Sequence, residues 1–402
     1  MINKKKLNWR FQGNENKYLL DILKKGVKLK EKSYNLLLEK KWSKFHNRKY
    51  SITTNSCTSA LHAAFCALDL KKNDEVLVPS LTPVMCANAI IFSGATPIFV
   101  DSKFDTFLMD PKDLEKKITD NTKAILLVHM YGGVNNYKIF KKIAKKHKLF
   151  IVEDCAEALG AKDEDGNLAG TMGDISCWSF QGAKHITCGD GGIMSSSNSK
   201  IAKKARKYTN LGFRFLKANA DNIQLNKKKL QNPSTERFNQ LGYNYRLSEF
   251  SASIILAQFE RLNYFLHWRR KVSLEFEKIL KNNKILIPQK ISNKTYSTYY
   301  TFSAKLGKNI KWEKFRDKFM SYGGDGIYAS SKLLQQEPSI KNNNLGKCFK
   351  SCKINCAKNC TGTPVAKKLQ KIILNFTTNQ SNNKEVKKQV KALKKTLLFF
   401  KK

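Results

Sequence analysis

The chain has 402 residues, 41% of them hydrophobic, and no apolar run approaches the roughly 20 residues that a bilayer-crossing helix needs. The length exceeds that of one ordinary domain, so a large domain with a smaller one attached is expected. A net charge of +42 raises nucleic acid as a partner, but the lysines run along the whole chain without an RNA-binding aromatic signature or zinc-finger spacing, so nucleic acid is set aside and a field attracting anionic small molecules remains.

The first six residues are basic and pass into polar and aromatic sequence rather than an apolar stretch, so no export signal is read and a cytoplasmic location is expected. Residues 15–45 carry helical periodicity and lead to a short strand at 50–53. An alternation follows: helix 59–68, strand 75–78, an alanine-rich segment ending at Gly94, strand 97–101, strand 124–128, helix 137–147 and strand 149–152. Short continuous apolar runs separated by helices predict strands covered on both faces, in a mostly parallel sheet of an α/β fold. Ligands of such sheets bind beyond the carboxyl ends of the strands. Two more apolar runs, 175–180 and 192–194, precede an aperiodic Lys- and Asn-rich stretch at 216–236, read as a surface excursion. A long helix is expected from about 248 to 265, then a smaller mixed segment with a strand at 299–304 and a basic amphipathic helix from 384. The domain boundary is placed near 262, giving a larger domain over 1–262 and a smaller C-terminal α+β domain over 263–402.

Cys57, Cys66, Cys86, Cys155, Cys177 and Cys188 sit singly in apolar or glycine-rich surroundings, which suits reduced thiols acting as small core residues. Cys348, Cys352, Cys356 and Cys360 recur at every fourth position. That spacing could line one helix face and gather a metal, but it matches no common zinc pattern, so partly exposed thiols are preferred and no metal is expected.

Three segments carry chemistry. The strand at 149–152 runs into Glu153-Asp154-Cys155-Ala156-Glu157; a carboxylate at that position could bind metal, act as a base, pair with a protonated pyridine nitrogen, or cap the following helix. Lys184 stands between the strand ending Trp178-Ser179-Phe180 and the turn Gly189-Asp190-Gly191-Gly192. Glycines let backbone approach a bulky ligand, and a lysine shielded from water can attack a carbonyl. Asn55-Ser56-Cys57-Thr58-Ser59 opens an alanine-rich helix, offering either a phosphate site or simple capping. Phosphate cradle, carboxylate and amine together suit pyridoxal phosphate (PLP).

The order of Asn55-Ser56-Cys57-Thr58-Ser59-Ala60-Leu61, Pro79-Ser80-Leu81-Thr82, Gly94-Ala95-Thr96-Pro97, Glu153-Asp154, Gly173-Asp174, Ser179-Phe180 with Lys184, Gly189 to Gly192, and Gly242-Tyr243-Asn244-Tyr245-Arg246 resembles the DegT/DnrJ/EryC1/StrS family over residues 15–375. These are fold-type-I, PLP-dependent nucleotide-sugar aminotransferases. The resemblance implies a Schiff base between PLP and Lys184, which also shuttles the proton during amino transfer. It implies that Asp154 holds the pyridine nitrogen protonated and that Glu157 lies near the cofactor's 3-hydroxyl. Thr58, the Cys57 amide and Ser179 would take the phosphate. Asn244 would reach that phosphate from a neighbouring subunit, so a homodimer is implied, and Arg246 would be structural or substrate-facing.

Two positions depart from the family pattern: Cys57 stands where many members have Gly, and Pro83 where an aromatic ring usually stacks on the pyridine, a gap that Met85 could fill. The related sugar 3-dehydratases carry His in place of the lysine, so Lys184 favours transamination, and the turn after it looks most like that of perosamine-type 4-aminotransferases. The leading expectation is amino transfer from glutamate to the C4 keto carbon of a nucleotide-linked deoxysugar for surface polysaccharide, with no membrane partner. The alternatives are a PLP-dependent dehydratase or lyase, and a non-catalytic binding protein on the same fold.

Overall fold

The structure is a computed structural model and describes residues 8–26, 33–219, 226–307, 310–341 and 362–401. The four-spaced cysteines, Cys348 to Cys360, lie outside the described residues. Helices α1 (Glu15–Lys25) and α2 (Tyr34–Phe45) lead to strand β1 (Tyr50–Thr54) and helix α3 (Cys57–Ala67). Then come β2 (Glu75–Pro79), α4 (Met85–Phe92), β3 (Thr96–Val100), α5 (Pro111–Lys116), β4 (Thr122–Val128), α6 (Tyr137–His147), β5 (Phe150–Asp154), β6 (Ile175–Ser179), β7 (Gly192–Ser196) and α7 (Ser199–Thr209).

These strands form one seven-stranded sheet in the order β1-β7-β6-β5-β4-β2-β3. Pairing is parallel from β3 across to β6, and β7 runs antiparallel to both of its neighbours. The α/β class is as expected; the reversed strand is a feature that the short run at 192–194 gave no means of reading.

Alternate residues of the central strands enter different cores, as the pleat requires. Val76, Val78, Leu126, Val128 and Val152 pack with α3 and α4. Leu77, Ile125, Leu127 and Ile151 pack with Leu114 of α5 and with Phe140 and Ile143 of α6. Each such side chain contributes about 1.5–3 kcal/mol by leaving water. The same alternation points Glu153 and Asp154, at the end of β5, to opposite faces.

After α8 (Lys227–Gln231), a short helix within the stretch read as aperiodic, the expected long helix is two: α9 (Glu249–Phe259) and α10 (Leu262–Leu280). No Gly or Pro breaks them. Tertiary bonds do: the Glu260 carboxylate accepts from Asn14, Tyr18 and Lys41, while the Arg261 guanidinium donates to the carbonyls of Trp9 and Arg10. Helix α10 serves two cores, with Phe265 and Leu266 packing beside α2 and α9, and Val272, Phe276 and Leu280 packing under a second sheet.

That second sheet is antiparallel, in the order β10-β11-β9-β8, from β8 (Leu286–Pro288), β9 (Thr301–Leu306), β10 (Ile327–Ala329) and β11 (Ile373–Thr377). Helix α11 (Trp312–Ser321) precedes β10, α12 (Pro338–Lys341) and α13 (Pro364–Gln370) precede β11, and α14 (Asn383–Phe399) follows it. Val386, Leu393 and Leu397 of α14 enter the core while its lysines stay solvated. Among the described residues, no helix is long and apolar enough to cross a membrane.

Candidate active site

A cleft of about 400 Å³ opens at the carboxyl ends of the central strands. Cys57, Thr58, Asp154, Glu157, Ser179 and Lys184 line it together, with Pro83, Met85, Met130, Gln181 and Asp190. Tyr300, just before β9, brings the second sheet to the same cleft.

Helix α3 begins at the cleft wall. Ser56 is extended (φ −162°, ψ 161°) and its hydroxyl accepts from the Ser59 amide, so the first turn is capped. The Cys57 and Thr58 amides precede any possible intrahelical acceptor and so remain available to an anion at the positive end of the helix. Strand β7 starts hard against this turn: a Cβ on Gly192 would lie 2.5 Å from the Ser56 carbonyl carbon and oxygen. Cys57 itself is buried, which pushes its thiol well up, so it remains a neutral side chain behind the turn.

Asp154 is 4% exposed. Its Oδ1 accepts from the Ala156 amide at 2.9 Å and its Oδ2 from the Cys86 thiol at 3.3 Å. Among the described residues no ion pair neutralises it, and a buried carboxylate in that state calls for a cationic ligand group. Glu153, one residue earlier, has the opposite surroundings. It accepts from the amides of Gly170, Met172 and Gly173, from Ser176 Oγ and from His129 Nε2. Burial alone would raise its carboxyl; His129, the nearby Arg48 charge and the Gly173 amide outweigh that and hold it down at about 2. Glu153 is therefore a structural tie. His129 Nδ1 accepts from the Asn135 amide at 3.2 Å, so neither ring nitrogen has a lone pair free for a cation.

Lys184 points into the cleft. Its Nζ stands 3.5 Å from Glu157 Oε1 and 4.1 Å from the centre of the Tyr300 ring. Burial disfavours its charge, but Glu157, then Tyr300 and Asp154, overcome that and hold the amine above its ordinary value. Glu157 is fixed through its other oxygen, which accepts from the Tyr131 amide at 2.9 Å. The neighbouring His185 faces away: it is buried, its Nε2 meets the Thr298 carbonyl at 3.3 Å, and burial keeps it neutral.

Asn244 does not enter this cleft. Tyr243 and Tyr245 stack on one another at 5.0 Å and Tyr245 bonds to His62 on α3, so the intervening Asn244 is turned outward and exposed, as is Arg246. Tyr300, Arg10 and Arg269 were not read from the sequence as site residues. The Tyr299-Tyr300 pair before a strand was the one signal for the first; the arginines had none.

Residues 10–327 match the model of the DegT/DnrJ/EryC1/StrS aminotransferase family. The chain is 34% identical over 326 residues to the GDP-perosamine synthase of Escherichia coli O157:H7, covering 81% of each chain. It is 32% identical over 304 residues to the GDP-perosamine synthase of Caulobacter vibrioides, covering 75% of this chain and 76% of that one. The fold is that of an aminotransferase from Psychrobacter cryohalolentis, with a TM-score of 0.80 at 22% identity over 94% of this chain and 95% of the other. The chain belongs to the DegT/DnrJ/EryC1/StrS aminotransferase family.

Proposed function

We propose that this enzyme transfers an amino group from glutamate to the C4 keto carbon of a nucleotide-linked deoxysugar, and that Lys184 is the lysine that holds its cofactor. The observation that carries this is the convergence of the Lys184 amine, the Asp154 carboxylate and the open amides of α3 on one cleft. The family's cofactor, pyridoxal phosphate, fits those groups. Its phosphate matches the Cys57 and Thr58 amides with the Ser179 hydroxyl, its pyridinium the unpaired Asp154, and its aldehyde the amine of Lys184. When bound, it supplies an aldehyde that captures amines and a ring that withdraws electrons from the adjacent carbon.

The chain's own residues then divide the work. Asp154, kept from water, holds a proton on the ring nitrogen. Glu157 keeps the Lys184 amine near the reacting carbon, and Lys184 Nζ would carry the proton between the substrate carbon and the cofactor. His185, buried on the far side of the backbone, is not placed to serve as a base. Three GDP-perosamine synthases at 31–34% identity support C4 over other ring positions and GDP as the nucleotide. The outward Asn244, flanked by the exposed side chains of Phe238 and Leu241, supports a homodimer in which it completes the neighbour's phosphate site. We take the boundary between the two domains to lie near residue 262.

The test is incubation of purified protein with pyridoxal phosphate, glutamate and a panel of 4-keto and 3-keto nucleotide sugars. Formation of 2-oxoglutarate with an aminated 4-keto substrate is expected. No 2-oxoglutarate with any sugar sinks the proposal, and a deoxygenated product without amine identifies a dehydratase. A near-visible absorption band that vanishes in Lys184→Ala checks the lysine independently of turnover.

A further inference from the structure

Four consecutive carbonyls, from Gly182 to His185, are gripped by two buried arginines from distant parts of the chain. Arg10 donates through Nη1 to the Gly182 carbonyl at 2.7 Å, and through Nη2 to the carbonyls of Lys184 and, at 3.4 Å, His185. Arg269, on α10, donates through Nη2 to the Ala183 carbonyl at 2.9 Å and the Lys184 carbonyl at 3.3 Å. Its Nη1 holds the Tyr300 carbonyl at 2.8 Å and Thr378 Oγ1 at 2.9 Å.

This arrangement is costly. Arg10 is 9% exposed and Arg269 4% exposed, and among the described residues neither forms an ion pair with a carboxylate. Burial and mutual repulsion bring Arg269 down to about 9, and burial also lowers Arg10. Carbonyl dipoles are what compensate two desolvated guanidinium groups here, and packing alone would be better served by apolar side chains.

The geometry has two consequences. With every carbonyl of 182–185 drawn to the arginines, the Lys184 side chain leaves on the cleft side, toward Glu157. And because one Arg269 fork holds both the Lys184 and the Tyr300 carbonyls, the amine and the ring 4.1 Å from it are referenced to a single planar group.

We propose that Arg10 and Arg269 are positioning residues, a double guanidinium clamp on the carbonyls of 182–185 that fixes where Lys184 Nζ stands relative to Glu157 and Tyr300 and so sets its reactivity. The proposal rests on Lys184 being the cofactor lysine. Lys184 belongs to the family pattern; the clamp comes from the geometry of this chain.

The experiment compares Arg10→Lys and Arg269→Lys, which keep the charge and lose the fork, with Val272→Ala, a core change away from the cleft. Two quantities are read by peptide mass spectrometry: the rate of trace acetylation of Lys184 in cofactor-free protein relative to other lysines, and the borohydride-trapped attachment of pyridoxal phosphate to Lys184. The clamp variants should change Lys184 acetylation, and should slow attachment by about ten- to a hundredfold, as expected for a misplaced reactive group. Val272→Ala should lower the melting temperature and leave both quantities at wild-type values. If the arginine variants behave like Val272→Ala, the clamp is merely structural and the proposal is overturned. If even the wild type never bonds pyridoxal phosphate at Lys184, the functional reading fails, and the acetylation rates still decide the clamp.

Discussion

The Nζ of Lys184 lies 4.1 Å from the centre of the Tyr300 ring, although Lys184 sits in the loop after β6 of the first sheet and Tyr300 immediately before β9 of the second. An ammonium over an aromatic face gains about 0.5–2 kcal/mol, the larger value when water is kept away. Tyr300→Phe retains the face and should change the rate of amino transfer little. Tyr300→Ala removes it and admits water, and should lower kcat by roughly 2- to 30-fold. Equal losses in the two variants would point to the hydroxyl instead and refute the role given to the ring.

Glu157 is the strongest of the groups that keep the Lys184 amine protonated against its burial. Attachment of an aldehyde requires the neutral amine. In Glu157→Gln the raising partner is gone while the burial remains, so the amine loses its proton at lower pH. The pH midpoint for attachment of pyridoxal phosphate to cofactor-free enzyme should therefore move down. An unchanged or higher midpoint, followed spectroscopically across the pH range, would contradict the pairing.

Glu153 makes a separate prediction about stability. Its folded value of about 2 lies below the ordinary glutamate value of 4.5, so its contribution is present above the unfolded value and lost as pH falls toward 2. The shift corresponds to about 3 kcal/mol, as an order of magnitude, released between roughly pH 5 and pH 2. The difference in urea midpoint between wild type and Glu153→Gln should shrink steadily over that window; a constant difference would remove Glu153 from the acid response.

How much of this was legible in the sequence depended on whether the determining contact was local. The Glu153-Asp154 pair could be found because an apolar run ends just before it and strands of such sheets deliver their last residues to the ligand. Which of two adjacent carboxylates faces the cleft was not readable, because it depends on Glu153 meeting the amides of 170–173 across a loop. Lys184 stood out from the other lysines through the glycine turn after it. Tyr300 did not, since its place follows from how β9 docks beside the first sheet. Arg10 and Arg269 were invisible for the same reason: their role lies in carbonyls far along the chain, and in so basic a chain an arginine carries no information by itself. The break between α9 and α10 likewise belongs to the tertiary partners of Glu260 and Arg261.

Pro83 lines the cleft with Met85, at the position where the family resemblance leads one to expect a stacking aromatic ring. A stacked aromatic pair is worth about 0.5–1.5 kcal/mol beyond its buried area, so Pro83→Phe should tighten pyridoxal phosphate by roughly 2- to 10-fold. Titration of cofactor-free protein by fluorescence quenching measures this. Unchanged or weaker binding would mean that Met85 already covers that face and that the proline costs nothing.

Asn244 gives the sharpest test of assembly. In a dimer with shared sites, each site takes Lys184 from one subunit and Asn244 from the other. Lys184→Ala and Asn244→Ala should each be nearly inactive alone, because one lacks the amine and the other a phosphate ligand. In a heterodimer of the two, one site combines the intact lysine of one chain with the intact asparagine of its partner, while the second site carries both defects. Random exchange at equal concentrations makes half the dimers mixed, so about a quarter of wild-type turnover should return. If Asn244 instead acted within its own chain, every site in the mixture would keep one defect and no activity would reappear. Reappearance must also depend on exchange: cross-linking each variant before mixing should abolish it.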